Sequence, residues 1–141
     1  MKSRDSVETP IKIINTLKQR YFKFEPYYDP TPFVKVFDKK RHKNGLKTAW
    51  ASPSYCNPPY SIASFFVKKA WNEYKKGIKS ILLVKNSVLS TKKFTEVKDD
   101  CCILFFNSKI KFVGFNQPAH FSSVLIMFGY GKKGTFNVFE Y

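Results

Sequence analysis

The stretch Trp50–Tyr60 reads WASPSYCNPPY, and together with the apolar run ILLV at Ile81–Val84 it decides the fold class. The first stretch is predicted to be a strand that stops at Pro58 and Pro59, because proline cannot donate a hydrogen bond to a sheet. The second is a short apolar run of the kind that forms buried strands. Two such strands with a helix between them favour a parallel pair joined by a crossover.

The intervening helix is predicted over about residues 62–76. Ser61 or Ser64 is expected to cap its start, and Gly77 is expected to end it. Its apolar face recurs at helical spacing and consists of Phe66, Val67, Ala70, Trp71 and Tyr74.

The flanking sequence predicts further elements of both kinds. Thr9 and Pro10 are expected to supply the N-cap and the first position of a helix that begins at Ile11. Tyr21–Tyr28 is predicted as a short aromatic strand that ends at Asp29-Pro30. The other predicted elements are a helix at residues 91–98 and strands at Phe33–Phe37, Ile103–Phe106, Ile110–Val113 and Val124–Phe128.

The order of these elements predicts a single α/β domain over residues 1–141. Strands and helices alternate in the first two thirds, and strands cluster at the C-terminal end. The sheet is therefore expected to begin parallel and to finish with antiparallel pairing.

Charge and composition narrow the class of protein. The chain carries 25 Lys and Arg against 10 Asp and Glu, a net charge of +15, and 43% of its residues are hydrophobic. The hydrophobic fraction excludes a disordered basic tail, and the positive charge makes nucleic acid the expected partner.

No apolar run approaches the ~20 residues of a membrane span, and no apolar stretch follows the charged start, so we expect an intracellular protein without a membrane partner. The three cysteines and two histidines lack zinc spacing, so no metal is expected.

The basic residues are predicted to differ in role. Lys39, Lys40, Arg41 and Lys43 lie in a stretch just upstream of the NPPY motif, and we expect them to contact DNA phosphates. The pairs Lys68-Lys69 and Lys75-Lys76 are interpreted as the solvent face of the helix.

The motif Asn57-Pro58-Pro59-Tyr60 is the local pattern most indicative of chemistry. An Asn side-chain oxygen and a backbone carbonyl both accept hydrogen bonds from an exocyclic amino group. The two prolines fix the loop, and the Tyr60 ring offers a face on which an extruded base can stack. The alternative is a structural turn, in which Asn57 is a turn former and Tyr60 packs in the core. Cys56, next to the motif, is expected to be a buried filler.

The motif resembles the DPPY/NPPY signature of amino-methyltransferases. Its context is similar to that of the phage-type, Dam-like DNA adenine methyltransferases over about residues 9–129. The matching pieces occur in the same order, and they are Thr9-Pro10, Asp29-Pro30, Gly45-Leu46 with Trp50, the NPPY motif, Ser108–Phe112 and Phe121–Phe128.

The resemblance implies a Rossmann-like sheet of the class I methyltransferases and transfer of a methyl group from S-adenosylmethionine to N6 of adenine in double-stranded DNA. Asn57, Pro58, Pro59 and Tyr60 would then form the amino-group pocket. Asp29 and Pro30, with Thr9 and Pro10, would border the cofactor.

Two alternatives stay open at this point. One is a catalytically degenerate protein of this fold that acts as a basic nucleic-acid-binding or virion-associated protein. It is favoured by Asn44, where the family has an acidic residue, and by the lack of a Gly-x-Gly near Asp29. The other is a subunit that needs a partner chain or a homo-oligomer. The richness in Lys, Phe and Asn favours an AT-rich source such as a virus or a phage.

Overall fold

The structure is a computed structural model that describes residues 5–32 and 45–141. The described strands are β1 (Ser54–Cys56), β2 (Ser80–Lys85), β3 (Cys102–Phe106), β4 (Ser123–Phe128) and β5 (Phe136–Phe139). The α-helices of the described residues include α1 (Ile11–Leu17), α2 (Ala63–Tyr74) and α3 (Lys92–Val97). A π-helical turn extends α1 over Lys18–Phe22, and 3₁₀ turns cover Tyr60–Ile62, Asn86–Ser90 and Lys98–Asp100.

The five strands form one mixed sheet in the order β1-β2-β4-β3-β5. β1 and β2 are parallel, and α2 connects them as predicted. β4 runs antiparallel to both β2 and β3, which confirms the predicted change from parallel to antiparallel pairing. The unpredicted β5 then pairs with β3 in parallel. The fold is thus a small α/β domain core, while the Rossmann arrangement of class I methyltransferases stays a prediction.

Both faces of the sheet are covered, which explains the apolar character of the central strands. Ile81 and Leu83 of β2 belong to one core, which we call the α1 face because Ile13 and Leu17 pack there. Leu82 and Val84 belong to the opposite core, the α2 face. Phe66, Val67 and Ala70 of α2 are fully buried on that face. The result is a three-layer arrangement that leaves the ends of the strands as the place for a site.

The predicted strand at Tyr21–Tyr28 is wrong over most of its length. The π-helical turn continues to Phe22, and Lys23 and Phe24 follow with φ of 52° and 62°. Only Tyr28 forms a sheet contact, a parallel bridge to Ser54 of β1. The bridge nonetheless places the following Asp29 beside β1. The strand predicted at Phe33–Phe37 lies outside the described residues.

The predicted strand at Ile110–Val113 is also wrong. Ile110 and Phe112 are buried on the α1 face, but their segment is irregular. Its backbone bonds go to the chain before α1 and to its own loop, since Val113 N donates to Glu8 O and Ala119 N donates to Ile110 O. The alternating pattern therefore reflects two core contacts of a loop.

The predicted helix caps need correction as well. Pro10 itself occupies the N-cap position of α1, and the Thr9 hydroxyl bonds to Tyr55 instead. α2 begins after Ile62 without a side-chain cap, so neither Ser61 nor Ser64 has that role. The predicted end is confirmed, because Gly77 has φ of +97° and its N–H donates to Tyr74 O.

A buried carboxylate joins α2 to the segment before β1. Glu73 is 1% exposed, and its Oε1 lies 2.8 Å from Lys69 Nζ and accepts the Trp50 N–H at 3.2 Å. Lys69 is thus an ion-pair partner and not part of the solvent face, while Lys75 and Lys76 are exposed as predicted. The Trp50 indole N–H donates to Gly45 O, which explains the spacing of those two residues.

Candidate active site

One edge of the sheet brings Lys85 together with Asp29 and the NPPY motif, the two features that the sequence singled out. Asp29 follows the Tyr28 bridge, Asn57 follows β1, and Lys85 ends β2. Because these three segments are parallel neighbours, their carboxyl ends meet at the same edge. This is the edge at which open α/β sheets bind their ligands.

Asn57 is held in one orientation by the chain preceding α1. It is 9% exposed, and its Nδ2 donates to Val7 O at 2.8 Å and to Thr9 Oγ1 at 3.1 Å. Both amide hydrogens are therefore used inside the protein, since an Asn side chain has two donors. The remaining polar atom of the side chain, Oδ1, is the one that can accept a hydrogen bond from an incoming amino group.

The rest of the motif is fixed by the same segment. Pro58 and Pro59 are buried, and the backbone N–H of Tyr60 donates to Asp5 O at 2.8 Å. The Asp5 carboxylate accepts two bonds from Ser61, one from its N–H at 2.7 Å and one from its hydroxyl at 2.6 Å. We call residues 5–9 the strap, because alternate residues of it bind the motif.

The Tyr60 ring forms a corner with a second aromatic ring. Phe121 lies edge-on to it, with centroids 5.2 Å apart and planes at 77°. Lys85 Nζ lies 4.2 Å from the Tyr60 centroid. Burial raises the pKa of the Tyr60 hydroxyl well above its ordinary value, and the negative charge of Asp5 adds to this. That hydroxyl is buried without a hydrogen-bond partner among the described residues.

Asp29 is a largely buried carboxylate beside the motif. Burial raises its pKa from 3.8 to about 6, although hydrogen bonds from Thr31 lower it. Both Thr31 bonds end on Oδ1, from the backbone N–H at 2.8 Å and from the hydroxyl at 3.5 Å. Thr31 also lies 3.2 Å from Cys56 Sγ, which links the Asp29 segment to β1. Cys56 itself is fully buried, as expected of a filler.

Thr9 lies at the centre of the strap contacts. Its hydroxyl is 2.6 Å from the Tyr55 hydroxyl and also accepts the bond from Asn57. Burial raises the pKa of Tyr55 well above its ordinary value, so this hydroxyl stays neutral. The structure therefore places Thr9 against the motif, and its predicted role beside the cofactor stays a prediction, as does that of Pro10.

Gly45 fits closely against the segment that carries Asp29. A Cβ at this position would lie 2.3 Å from Pro30 O and 3.0 Å from the Phe66 ring. Only glycine permits this approach of the two backbone segments, so Gly45 fixes Pro30 at the edge of the site.

The site residues of the sequence prediction are thus partly brought together. Asp29, Pro30, Thr9, Pro10 and the NPPY motif lie in the described part of the chain, whereas Lys39, Lys40, Arg41, Lys43 and Asn44 lie outside it. Sequence reasoning missed Asp5, Lys85 and Phe121. For Lys85 a signal existed, because it directly follows the predicted strand ILLV.

Comparison with known families identifies the family to which the chain belongs. The chain matches the family described as DNA N-6-adenine-methyltransferase (Dam) over residues 1–124. The chain belongs to this family. No curated protein and no solved structure matches it. Membership in the Dam family confirms the resemblance, and the family description implies a DNA substrate and a methyl donor.

Two further findings concern other classes of partner. Among the residues described for this Dam family member, no group of three or more His, Cys, Asp or Glu side chains could hold a metal ion. Within the same described residues, no helix has the length and apolar character required to cross a membrane.

Proposed function

We propose that this chain transfers a methyl group from S-adenosylmethionine to N6 of adenine in double-stranded DNA. The observation that carries the proposal is the orientation of Asn57. Its two amide hydrogens are bound by Val7 and Thr9, so its oxygen is left to accept from an amino group.

The chemistry at the motif is positioning of a weak nucleophile. Asn57 Oδ1 accepts an N6 hydrogen, and a backbone carbonyl of the rigid loop offers a second acceptor, so the N6 lone pair is turned out of the ring plane. S-adenosylmethionine, when bound, supplies a methyl group on a sulfonium. In the transfer the N6–carbon bond would form as the carbon–sulfur bond breaks, the electron pair of that bond would stay on sulfur as a neutral thioether, and N6 would release one proton to solvent water. Orientation by fixed groups supplies most of the rate in such a step.

The aromatic corner supports the same proposal on the side of the base. Tyr60 and Phe121 present two perpendicular rings next to Asn57. An adenine extruded from the duplex needs such a surface, because it loses its stacking when it leaves the helix. Base–aromatic stacking contributes about 1–3 kcal/mol per base in proteins that bind unpaired bases.

Asp29 is proposed as the cofactor-binding carboxylate, with Pro30, Thr9 and Pro10 around it. Its Oδ1 is bonded by Thr31, and within the described residues no bond is made to Oδ2. A ribose offers paired hydroxyl donors. In nucleotide-binding sheets, an acidic residue that follows a strand binds these hydroxyls. The carboxylate acceptor of Asp29 therefore fits an adenosine-type cofactor.

The decisive experiment measures tritiated methyl incorporation into adenine-containing duplexes by the wild type and by Asn57→Ala. We expect the variant to lose transfer while its affinity for S-adenosylhomocysteine stays within a few-fold, because Asn57 acts on the base. Asp29→Ala is the matched variant, and it should weaken that affinity at least tenfold. Full transfer by folded Asn57→Ala would contradict the proposed site.

A second candidate function is DNA binding without methyl transfer, which the net charge of +15 favours. Calorimetry of the wild type with S-adenosylhomocysteine separates the two. The enzyme is expected to bind one molecule with micromolar affinity, about −8 kcal/mol. No binding at millimolar ligand would leave the second candidate.

A further inference from the structure

Lys85 lies at the carboxyl end of β2, in the corner between Tyr60 and Phe121. Its Nζ is 4.2 Å from the Tyr60 centroid and 4.4 Å from the Phe121 centroid. Because the ring planes are at 77°, the ammonium faces both rings at once. In the part of the chain that the structure describes, Lys85 has no acidic partner within ion-pair distance. The two aromatic rings are therefore what holds this charge in place.

The position of the ammonium conflicts with stacking on the same face. Stacked aromatic rings place their centroids about 4.5–7 Å apart, and the ammonium already lies 4.2 Å from the Tyr60 centroid. A base and the ammonium cannot share this space. One of them must leave when the other arrives.

We infer that Lys85 is the displaceable occupant of the Tyr60–Phe121 corner, and that an extruded adenine drives its ammonium onto a phosphate of the same nucleotide. This inference rests on the proposed function. The base takes the place of the ammonium on the two rings. The ammonium then loses its contact with these neutral rings and forms an ion pair with the phosphate. Lys85 is then a specificity-determining residue, because a base without a phosphate must displace it without compensation.

The inference is tested with two fluorescent probes, each titrated in the presence of saturating S-adenosylhomocysteine. One is the riboside formycin A, a fluorescent adenosine analogue that keeps the amino group proposed to bind Asn57, and the other is a set of duplexes with one 2-aminopurine next to an adenine in varied flanking sequence. Lys85→Ala should bind the riboside about three- to tenfold more tightly, because a cation–π contact no longer has to be broken. It should bind the duplexes more weakly, with the salt dependence of log K reduced by about 0.9.

The chain offers a matched control at the opposite end of the same strand. Lys79 precedes β2, and its Nζ lies 5.6 Å from the Tyr130 centroid. Lys79→Ala removes the same charge and the same kind of ring contact away from the corner, so it should leave riboside affinity unchanged. Lys85→Arg keeps the charge and should retain duplex binding.

The inference is supported if Lys85→Ala binds the riboside more tightly and the duplexes more weakly than the wild type does. A shift of both in the same direction, no shift of either, or no binding of either probe by the wild type would overturn it. Failure of the proposed function is seen separately, as absence of methyl transfer by the wild type to unmodified duplexes. If Lys85→Ala does not fold by circular dichroism, Lys85→Gln carries the same comparison.

Discussion

Asp5 and Ser61 are 56 positions apart in the chain, and both carboxylate oxygens of Asp5 are bonded to Ser61. The N–H of Ser61 donates to Oδ1 and its hydroxyl donates to Oδ2. Together with the bond from Tyr60 N to Asp5 O, this joins the strap to the end of the NPPY motif. The motif is therefore held from outside its own strand and helix.

We expect Asp5→Ala to disturb the position of the NPPY motif while it lowers the stability of the fold only slightly. Two hydrogen bonds to the start of a helical turn are removed, and removal of a cap costs about 1 kcal/mol. We expect a small decrease in melting temperature and a larger decrease in methyl transfer. Ser61→Ala removes the hydroxyl bond alone and should have the weaker effect on transfer. Equal and minor effects of both variants on transfer would contradict a positioning role.

Substitution of Tyr60 separates the ring from the hydroxyl. The hydroxyl is buried without a partner among the described residues, so Tyr60→Phe should leave stability unchanged or raise it by up to about 1 kcal/mol. It should also retain transfer, because the ring supplies the stacking face. Tyr60→Ala should weaken transfer by about 1–3 kcal/mol. Thermal melts and initial rates check both variants, and a Tyr60→Phe variant without transfer would show that the hydroxyl is required.

Asp29 should make stability dependent on pH. Its pKa of about 6 in the folded state exceeds the ordinary value of 3.8, so the folded state binds this proton more tightly than the unfolded chain does. Protonation of Asp29 therefore contributes to the free energy of unfolding below about pH 4. This contribution, roughly 3 kcal/mol at most, is lost as the pH rises through 6.

The variant that isolates this effect is Asp29→Asn, which keeps an acceptor for Thr31 but does not ionise. Urea unfolding at pH 4 and pH 8 should show it as stable as the wild type at the lower pH and more stable at the higher one. The opposite order at pH 8 would mean that the ionised carboxylate is the stabilised form in the folded protein.

The basic stretch before the motif should control DNA binding through charge. Replacing Lys39, Lys40 and Arg41 with Ala should lower duplex affinity and reduce the salt dependence of log K, by up to about 0.9 for each phosphate that is no longer neutralised. Fluorescence anisotropy at several salt concentrations measures both quantities. An unchanged slope in the triple variant would show that these residues do not meet phosphates.

The central sheet and α2 were predictable because their signals are local. ILLV at Ile81–Val84 is apolar since both faces of β2 are covered, and the apolar positions of α2 follow the helical period. The aromatic run before Asp29 led to the wrong prediction of a strand, because a π-helical turn buries Phe22 much as a strand would. The sequence of β5 does not show the hydrophobic pattern of a buried strand, since three of its four residues are exposed at the sheet edge.

The sequence predicted which segments of the candidate site meet at one edge of the sheet, but not how their side chains are arranged. The NPPY motif follows β1 and Asp29 follows the Tyr28 bridge, so both lie at the same edge of the sheet, as their order in the chain implied. The bonds of Asn57 to Val7 and Thr9, and of Ser61 to Asp5, join segments far apart in sequence and leave no periodic trace. Lys85 and Phe121 meet Tyr60 only because β2 and β4 are neighbours in the sheet.

The NPPY loop, which the strap holds in place, is expected to open at a lower temperature than the sheet beneath it. Apart from Val7, which belongs to the buried core, the strap is held by a few hydrogen bonds that close loops of 46 to 56 residues, whereas the strands contribute to that core along their length. Segments with few buried apolar contacts open at free energies below that of global unfolding. On slow warming, catalytic turnover should therefore cease reversibly while the far-ultraviolet signal of the sheet is still intact, and amide exchange should be faster at Tyr60 and Ser61 than in β2.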